Sequence, residues 1–235
     1  MEVPGVKVSL ADVRLHRGKW GLFAQGTFDE GIHLVTGDVG SGKSTLALML
    51  AGLFRPVSGT VEREGIASVM TAFQFPEFHV TGQDLAQECR AWGADPAAVL
   101  ADAGLAGRER AKPFELSRGE LKRLVLSCVL SRDHDLLILD EPFSSLDARE
   151  KERLCTALSG RRRGITILFT HEKAHFPRVD RIWELGDGVL HDRGRLPSAL
   201  RHWEHAPALI KQLIAVGRIP SNISQADLLE AACRT

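Results

Sequence analysis

The sequence has 235 residues, enough for one large domain with attached subdomains. Thirty lysines and arginines balance 30 aspartates and glutamates, so no net charge favours nucleic acid or an anionic membrane surface. The four cysteines are widely spaced, which predicts reduced thiols in a cytosolic protein. No apolar run approaches the roughly 18–20 residues that cross a bilayer, so a role at a membrane would require another chain.

Residues 6–15 and 22–28 have the apolar pattern of strands, and residues 60–64 and 67–72 do so again. We assign these strands to an antiparallel β layer beside a ligand site. Trp20 lies just before the second strand, where its ring could stack on an adenine. Packing of Trp20 against its own hairpin is the alternative.

Residues 37–44 fit the phosphate-binding pattern G-x-x-x-x-G-K-[ST]. An apolar stretch at 32–36, typical of a buried strand, precedes this phosphate loop, and an apolar helical stretch at 46–53 follows it. Glycine lets backbone N–H groups approach phosphate oxygens, and a helix beginning near Lys43 directs its positive end at them. Lys43 can reach the terminal phosphates, and the Ser44 hydroxyl can bind Mg²⁺. The predicted nucleotide-binding residues are Gly37, Asp38, Val39, Gly40, Ser41, Gly42, Lys43, Ser44 and Thr45.

From residue 81 to about 132 the pattern turns helical, with predicted helices at 82–92, 96–103 and 118–130. An insertion of this size can form a subdomain. The short segment 73–77 before it contains Gln74 and ends a strand at a proline.

Two fully apolar segments, 136–139 and 165–169, predict strands covered on both faces and therefore a mainly parallel sheet. Asp140 and Glu141 follow the first, and Thr170 and His171 follow the second. Ligands bind at this edge of open α/β sheets. A hairpin is predicted at 181–192, followed by helices at 198–203, 207–216 and 225–233.

Six elements in this order resemble the ATP-binding subunit of ABC transporters over most of residues 6–195: the phosphate loop, Gln74, residues 116–120, Asp140-Glu141, residues 145–147 and His171. The resemblance implies an α/β fold with a P-loop NTPase (RecA-like) core, an antiparallel β subdomain, a helical signature subdomain and a short helical C-terminal tail. It places the β subdomain at about 1–30 and 60–72, and the core at 31–59 and 133–195. The helical subdomain spans 76–132, and the tail spans 196–235.

The resemblance also implies residue roles, with ATP and Mg²⁺ as cofactors. Asp140 would hold Mg²⁺ through water, with Ser44 and Gln74. Glu141 resembles the general base, although a second carboxylate near the magnesium is the alternative. His171 would contact the γ-phosphate, and Gln74 would sense the metal and the water.

The family works as a head-to-tail dimer of identical or different ATPase subunits, which implies a site completed by the partner. The signature residues of one protomer would cap the ATP held by the other, and Asp147 would lie at the dimer seam. These signature residues are Leu116, Ser117, Arg118, Gly119 and Glu120.

Two positions depart from the family pattern. Arg118 stands where the family usually has glycine, and it could pair with phosphate, pair with the partner's loop or face solvent. The chain has no tyrosine to stack on adenine. Trp20 and His16 are the candidates for that contact.

Segment 73–77 resembles the energy-coupling-factor group of ABC importers, which transport metal ions and vitamins. This resemblance implies integral membrane subunits docking near Gln74 to Glu88, at the cytoplasmic face of the membrane. The balanced charge predicts no nucleic-acid partner. Glu77, Asp84 and Glu88 could pair with arginines of the partner or be ordinary surface carboxylates. A soluble, non-transport ABC-type ATPase is the alternative function.

Overall fold

The computed structural model describes residues 5–17, 20–161 and 163–233. Residues 1–4, 18, 19, 162, 234 and 235 belong to the predicted domain spans but lie outside the described residues. The strands are β1 (Lys7–Arg17), β2 (Trp20–Phe28), β3 (Gly31–Thr36), β4 (Ser58–Glu64), β5 (Val69–Ala72), β6 (Leu136–Asp140), β7 (Ile165–Phe169), β8 (Arg181–Gly186) and β9 (Val189–Arg195). The helices are α1 (Lys43–Ala51), α2 (Leu85–Ala91), α3 (Pro96–Asp102), α4 (Arg118–Leu130), α5 (Ala148–Ser159), α6 (Ala208–Ala215) and α7 (Gln225–Cys233).

The strands form one mixed sheet in the order β4-β1-β2-β9-β8-β3-β7-β6-β5. Every residue of β6 and β7 is buried. Leu136 and Ile138 of β6 enter the core that contains α1, whereas Leu137 and Leu139 enter the core that contains α4 and α5. This two-sided burial confirms the predicted parallel sheet with helices on both faces.

The antiparallel layer consists of β1, β2 and β4, and β1 pairs with both of the other strands. A bulge between Leu10 and Val13 explains why the apolar alternation in the sequence shifts phase there. Arg63 of β4 reaches the end of α1, where its guanidinium donates to the carbonyl oxygens of Met49 (2.9 Å) and Leu50 (2.8 and 2.9 Å). The layer therefore holds the helix that follows the phosphate loop.

The assignment of strand 67–72 to the antiparallel layer is wrong. The strand found within this segment, β5, pairs in parallel with β6 at the opposite edge of the sheet. Asp135, just before β6, accepts hydrogen bonds from the backbone N–H groups of Ala67 (2.9 Å) and Ser68 (2.8 Å). Strand propensity is local, but this partner lies almost seventy residues away, so the sequence pattern could not select it.

Capping residues set the observed starts of several helices. Helix α4 spans the predicted residues, with Ser117 as its N-cap. Helix α2 begins at Leu85 rather than 82 because the Asp84 side chain accepts from the N–H of Gln87 and caps it there. The helix predicted at 198–203 is a single 3₁₀ turn, Ser198–Arg201.

Helix α5 was not predicted. Its signals are an Asp147–Glu150 capping box and two buried leucines one turn apart, Leu154 and Leu158. Among the described residues, no helix combines the length and apolar character needed to cross a membrane.

Candidate phosphate-binding site

Three parallel strands end side by side at one edge of the sheet. Val35, Phe169 and Asp140 occupy neighbouring positions in β3, β7 and β6. The ladder continues past the strands, because the N–H of Thr170 donates to Val35 O (3.2 Å) and that of Glu141 donates to Phe169 O (2.8 Å). Residues distant in sequence therefore meet at the edge where α/β sheets bind ligands.

The phosphate loop needs glycine at specific points. A Cβ on Gly37 would lie 2.3 Å from the carbonyl oxygen of Leu185, and one on Gly42 would lie 2.4 Å from Cζ2 of Trp20. Gly40 and Gly42 also have φ of 83° and 106°, which side-chain-bearing residues rarely adopt. Gly42 directly precedes α1, so the free N–H groups of this helix face the loop.

Lys43 is buried within the loop. Its ammonium donates to the carbonyl oxygens of Gly37 (2.8 Å) and Asp38 (2.9 Å). Burial lowers the pKa of Lys43, while the nearby carboxylates of Glu141, Asp140 and Asp38 oppose that shift. The ammonium is thus held next to the loop amides, where a phosphate oxygen can replace a carbonyl acceptor.

Asp140 is the side chain best suited to hold a cation. It is buried, and its Oδ1 has no hydrogen-bond partner among the described residues. Burial raises the pKa of Asp140, and the nearby Ser44 side chain lowers it in part. An unsatisfied carboxylate oxygen beside a hydroxyl fits Mg²⁺, which prefers oxygen ligands.

Glu141 has a positive φ of 49°, which is uncommon for a residue with a side chain and typical of functional sites. Its Oε1 lies 2.7 Å from Nδ1 of His171, and its Oε2 accepts from the Thr170 hydroxyl (3.1 Å). Because the carboxylate is an acceptor, the His171 ring donates through Nδ1. Both carboxylate oxygens of this buried side chain are therefore fixed in direction.

A cavity of about 380 Å³ lies over the loop. It brings together predicted residues from five parts of the sequence, and its lining includes Trp20, Val39, Gly40, Gly42, Lys43, Ser44, Thr45, Gln74, Glu141 and His171. Trp20 packs directly against Gly42. Its predicted stacking on adenine stays a prediction, as do the catalytic and metal roles of Gln74, Glu141 and His171.

The signature residues form the start of α4. Ser117 Oγ accepts from the N–H of Glu120 (3.3 Å), and Glu120 Oε2 accepts from that of Ser117 (2.8 Å). A Cβ on Gly119 would lie 2.9 Å from the carbonyl oxygen of Ser145, so the signature touches the loop that leads to Asp147. Asp147 itself caps α5 by accepting from the N–H of Glu150 (2.8 Å).

Arg118, the departure from the family pattern, lies against segment 73–77 of its own chain. Its guanidinium is 5.1 Å above the Phe75 ring centroid, and its Nε is 3.7 Å from Oε1 of Glu77. The residue is half exposed. Cation–π contact and charge pairing therefore join the signature to the segment that carries Gln74.

All three acidic residues suggested as partner contacts have contacts within the chain, and Glu77 keeps its exposed pairing with Arg118. Glu88 is fully buried and accepts from the N–H groups of Thr81 (2.8 Å) and Gly82 (2.6 Å) and from the Trp92 ring (2.7 Å). The suggestion that Glu88 is available to a partner is wrong, because its side chain is fully buried and bound to these groups of its own chain. Asp84 is the cap of α2.

Lys122 is a site residue that sequence reasoning missed. It is 1% exposed, and its ammonium donates to the carbonyl oxygens of Phe73 and Gln74, both at 3.3 Å. Burial lowers the pKa of Lys122 to about 8, opposed by the carboxylates of Asp140 and Glu141. The sequence did contain a signal for its burial. Lys122 stands three and seven residues before the buried Val125 and Val129, which places it on the apolar face of α4.

The fold and the site together define a P-loop nucleoside triphosphate-binding domain. A family model described as "ABC transporter" matches residues 26–144. The chain belongs to the ABC transporter family, and it carries the family's ATP-binding domain.

Two relatives and two solved structures illustrate this membership. The aliphatic sulfonates import ATP-binding protein SsuB 2 of Streptomyces avermitilis is 37% identical over 199 residues, covering 74% of each chain. An uncharacterized ABC transporter ATP-binding protein of Mycobacterium tuberculosis is 34% identical over 211 residues, which cover 80% of this chain but only 30% of that relative.

The structure of a bacterial Atm1-family ABC exporter with ATP bound aligns with a TM-score of 0.72 and 21% identity, over 86% of this chain and 41% of that one. A dimeric bacterial ABC transporter cassette aligns with a TM-score of 0.64 and 18% identity, over 78% of this chain and 96% of that one. At these identities the likeness shows the shared fold.

The lowered pKa of Lys122 predicts a specific pH dependence of stability. Between pH 8 and the unfolded value of 10.5, the native state holds fewer protons than the unfolded state, so stability rises with pH. Across this pH range, the free energy of unfolding should rise by about 3 kcal/mol more in the wild type than in Lys122→Met. Urea unfolding at several pH values measures it. Lys173→Met, at an exposed lysine, should retain the wild-type pH dependence, whereas a Lys122→Met curve parallel to the wild type would contradict the assignment.

Proposed function

We propose that this protein is the ATP-binding and ATP-hydrolysing motor subunit of an ABC-type membrane importer. The observation that carries the proposal is the convergence of Lys43, Glu141 and His171 on one cavity above the phosphate loop, with the Asp140 carboxylate close enough to act on Lys43. Transport in the inward direction is supported by the sulfonate-importing relative.

ATP binds through the loop amides and Lys43. Asp140 and the Ser44 hydroxyl, with Gln74, are the residues that would hold Mg²⁺, which when bound offsets negative charge on the phosphate oxygens. The buried Asp140 carboxylate has a free oxygen for this purpose. The loop therefore supplies the anion site, and the end of β6 supplies the cation site.

Glu141 acts as the general base that takes a proton from the attacking water. His171 and Thr170 hold its carboxylate in a fixed direction, which reduces the reorganisation needed in the transition state. The alternative role, a further carboxylate near the magnesium, would make Glu141 necessary for nucleotide binding rather than for turnover.

Each site is completed by a second ATPase subunit, identical or different. The N-terminus of α4 offers free N–H groups and a positive dipole end, which suit a γ-phosphate held by the partner. Gly119 lies close to Ser145, so the signature and the loop before Asp147 form one continuous surface. Asp147 lies on the exposed side of that loop, consistent with a place at the dimer seam.

Membrane subunits dock on the segment from Gln74 to Glu88, at the cytoplasmic face of the membrane. Phe75 and Phe78 are 41% and 74% exposed there, an apolar surface beside the acidic Glu77. Segment 73–77 also carries the resemblance to the energy-coupling-factor group, so we infer a metal ion or a vitamin as cargo. A soluble, non-transport ABC-type ATPase is the second candidate.

Purification of the tagged chain from its native membranes separates the two functions. An importer subunit should bring down a polytopic membrane protein, whereas recovery of ribosomes or DNA would favour the second candidate. Phe78→Asp should lose the membrane partner and keep ATP binding, because Phe78 makes the largest exposed part of the apolar surface. Leu53→Asp, at an exposed site beyond α1, is the control and should keep the partner.

Glu141→Gln should separate catalysis from binding. Glutamine keeps the shape of glutamate but cannot accept the proton of water, and loss of a general base costs about 10²–10⁴ in rate. MgATP binding should survive, so the ATP-bound dimer should accumulate. Phosphate release and size-exclusion chromatography with MgATP measure both effects. Wild-type turnover would remove Glu141 as the base, and loss of binding would favour the magnesium role.

The shared site predicts complementation between two variants. Ser117→Arg should block the surface that faces the partner's ATP, and Lys43→Ala should weaken the phosphate loop, so each variant alone should hydrolyse ATP poorly. Mixing them leaves one intact composite site per mixed dimer and should restore turnover in part. Turnover of Ser117→Arg alone at the wild-type rate would contradict a site completed by the partner.

A further inference from the structure

The C-terminal tail, which begins at residue 196, returns to the base of the phosphate loop. The Trp203 ring nitrogen Nε1 donates to the hydroxyl of Thr36 at 2.9 Å. Thr36 is the last residue of β3, directly before Gly37. Trp203 is 3% exposed and packs edge-on against Phe176, with ring centroids 5.9 Å apart. The indole is therefore held rigidly beneath the residue from which the loop starts.

A buried carboxylate on β8 fixes the next two tail residues. Glu184, 1% exposed, accepts from the backbone N–H groups of Glu204 (3.0 Å) and His205 (2.7 Å) and from Nε of Arg193 (2.5 Å). Its Oε1 also lies 2.7 Å from Nδ1 of His205. A charged group is buried at a high cost unless such donors surround it. The tail supplies three of these four donors, so Glu184 and the tail depend on each other.

The other ring nitrogen of His205 faces the phosphate loop. Nε2 lies 3.7 Å from Oδ1 of Asp38, whose side chain is 89% exposed. Both nitrogens of His205 thus face carboxylate oxygens, and the contact with Asp38 is an ion pair when the ring is protonated. Asp38 in turn acts electrostatically on Lys43, which also contacts its carbonyl oxygen.

Asp38 places a negative charge in a loop that has to bind a polyanion. A carboxylate there repels phosphate unless a positive group stands beside it. The Lys43 ammonium interacts electrostatically with this carboxylate from within the loop, and His205 is an ion-pair partner from outside the loop when its ring is protonated. His205 therefore approaches Asp38 from the tail, whereas the backbone N–H groups of the glycine-rich loop approach the anion from the loop itself.

We propose that Trp203 and His205 are positioning residues for nucleotide binding: Trp203 holds the start of the phosphate loop, and His205 offsets the charge of Asp38. This inference rests on the proposed ATP-binding function. It assigns to the tail a direct effect on the affinity for the triphosphate, within one protomer.

The test is a double-mutant cycle on MgATP affinity, measured by calorimetry with wild type, His205→Gln, Asp38→Asn and the double variant. Glutamine can still donate to Glu184 but carries no charge toward Asp38. At about pH 6, below the ordinary histidine pKa of about 6.5, His205→Gln should bind MgATP about two- to fivefold more weakly, because the Asp38 carboxylate of the phosphate loop then lacks its charged partner from the tail. Asp38→Asn should bind at least as tightly as the wild type, and it should restore the affinity lost in His205→Gln.

His202→Gln is the matched control, since His202 is an exposed histidine of the same tail. It should bind MgATP as the wild type does. Thermal unfolding without nucleotide shows whether each variant is folded. If His205→Gln is unstable, Trp203→Phe keeps the ring packing, removes the donor to Thr36 and should also weaken binding.

Hydrogen exchange provides a second measurement. A purely structural role of His205 would not make the exchange of the tail amides respond to MgATP. Coupling between sites is reciprocal, so MgATP should slow exchange of the Glu204 and His205 amides in the wild type and less so in His205→Gln. Unchanged MgATP affinity in His205→Gln and Trp203→Phe would overturn this inference but not the proposed function. Failure of Asp38→Asn to restore the affinity lost in His205→Gln would do the same. A wild-type chain that binds no MgATP would overturn the proposed function and the inference with it.

Discussion

The parallel register of β3, β7 and β6 is the constraint on which the site depends. It aligns Val35, Phe169 and Asp140, so the residues that follow each strand emerge side by side. The backbone hydrogen bonds of Thr170 and Glu141 extend that alignment past the strand ends. A slip of one residue in β6 would exchange its two core faces and turn Asp140 away from Ser44. Burial on both faces of β6 and β7 makes such a slip costly.

Buried charge is concentrated around this edge. Lys43, Lys122, Asp140, Glu141 and Glu184 are all nearly inaccessible. Ionised groups persist in such places only where opposite charges and hydrogen bonds offset desolvation. Asp140 departs from this pattern because one of its oxygens has no partner among the described residues. That unsatisfied oxygen is the strongest physical reason to expect a cation there.

Side-chain contacts from three parts of the molecule support the loop and its neighbours. Arg63 holds the end of α1, Lys122 and Arg118 hold the segment with Gln74, and the tail holds Thr36 and Asp38. Each contact joins a site element to a different layer of the molecule. Movement of the helical layer relative to the sheet would therefore reach Gln74 through α4, while the tail acts on the phosphate loop itself. The two routes are structurally separate.

The sequence by itself determined the phosphate loop, the covered strands and the order of the site residues, because these depend on local pattern. Glycine spacing, fully apolar strand segments and capping residues act within a few positions of one another, which is why α4 was predicted at its observed ends. The missed helix α5 carried the same kind of signal in its capping box.

Only the tertiary structure decided which distant segments meet. The placement of β5 beside β6, the burial of Glu88, the contact of Arg118 with Phe75 and Glu77, and the return of the tail to Asp38 each join residues that no local pattern relates. Lys122 shows the limit most clearly. A lysine on an apolar helix face is visible in the sequence, but its acceptors are carbonyl oxygens almost fifty residues earlier, and only packing of α4 against that segment brings them within 3.3 Å.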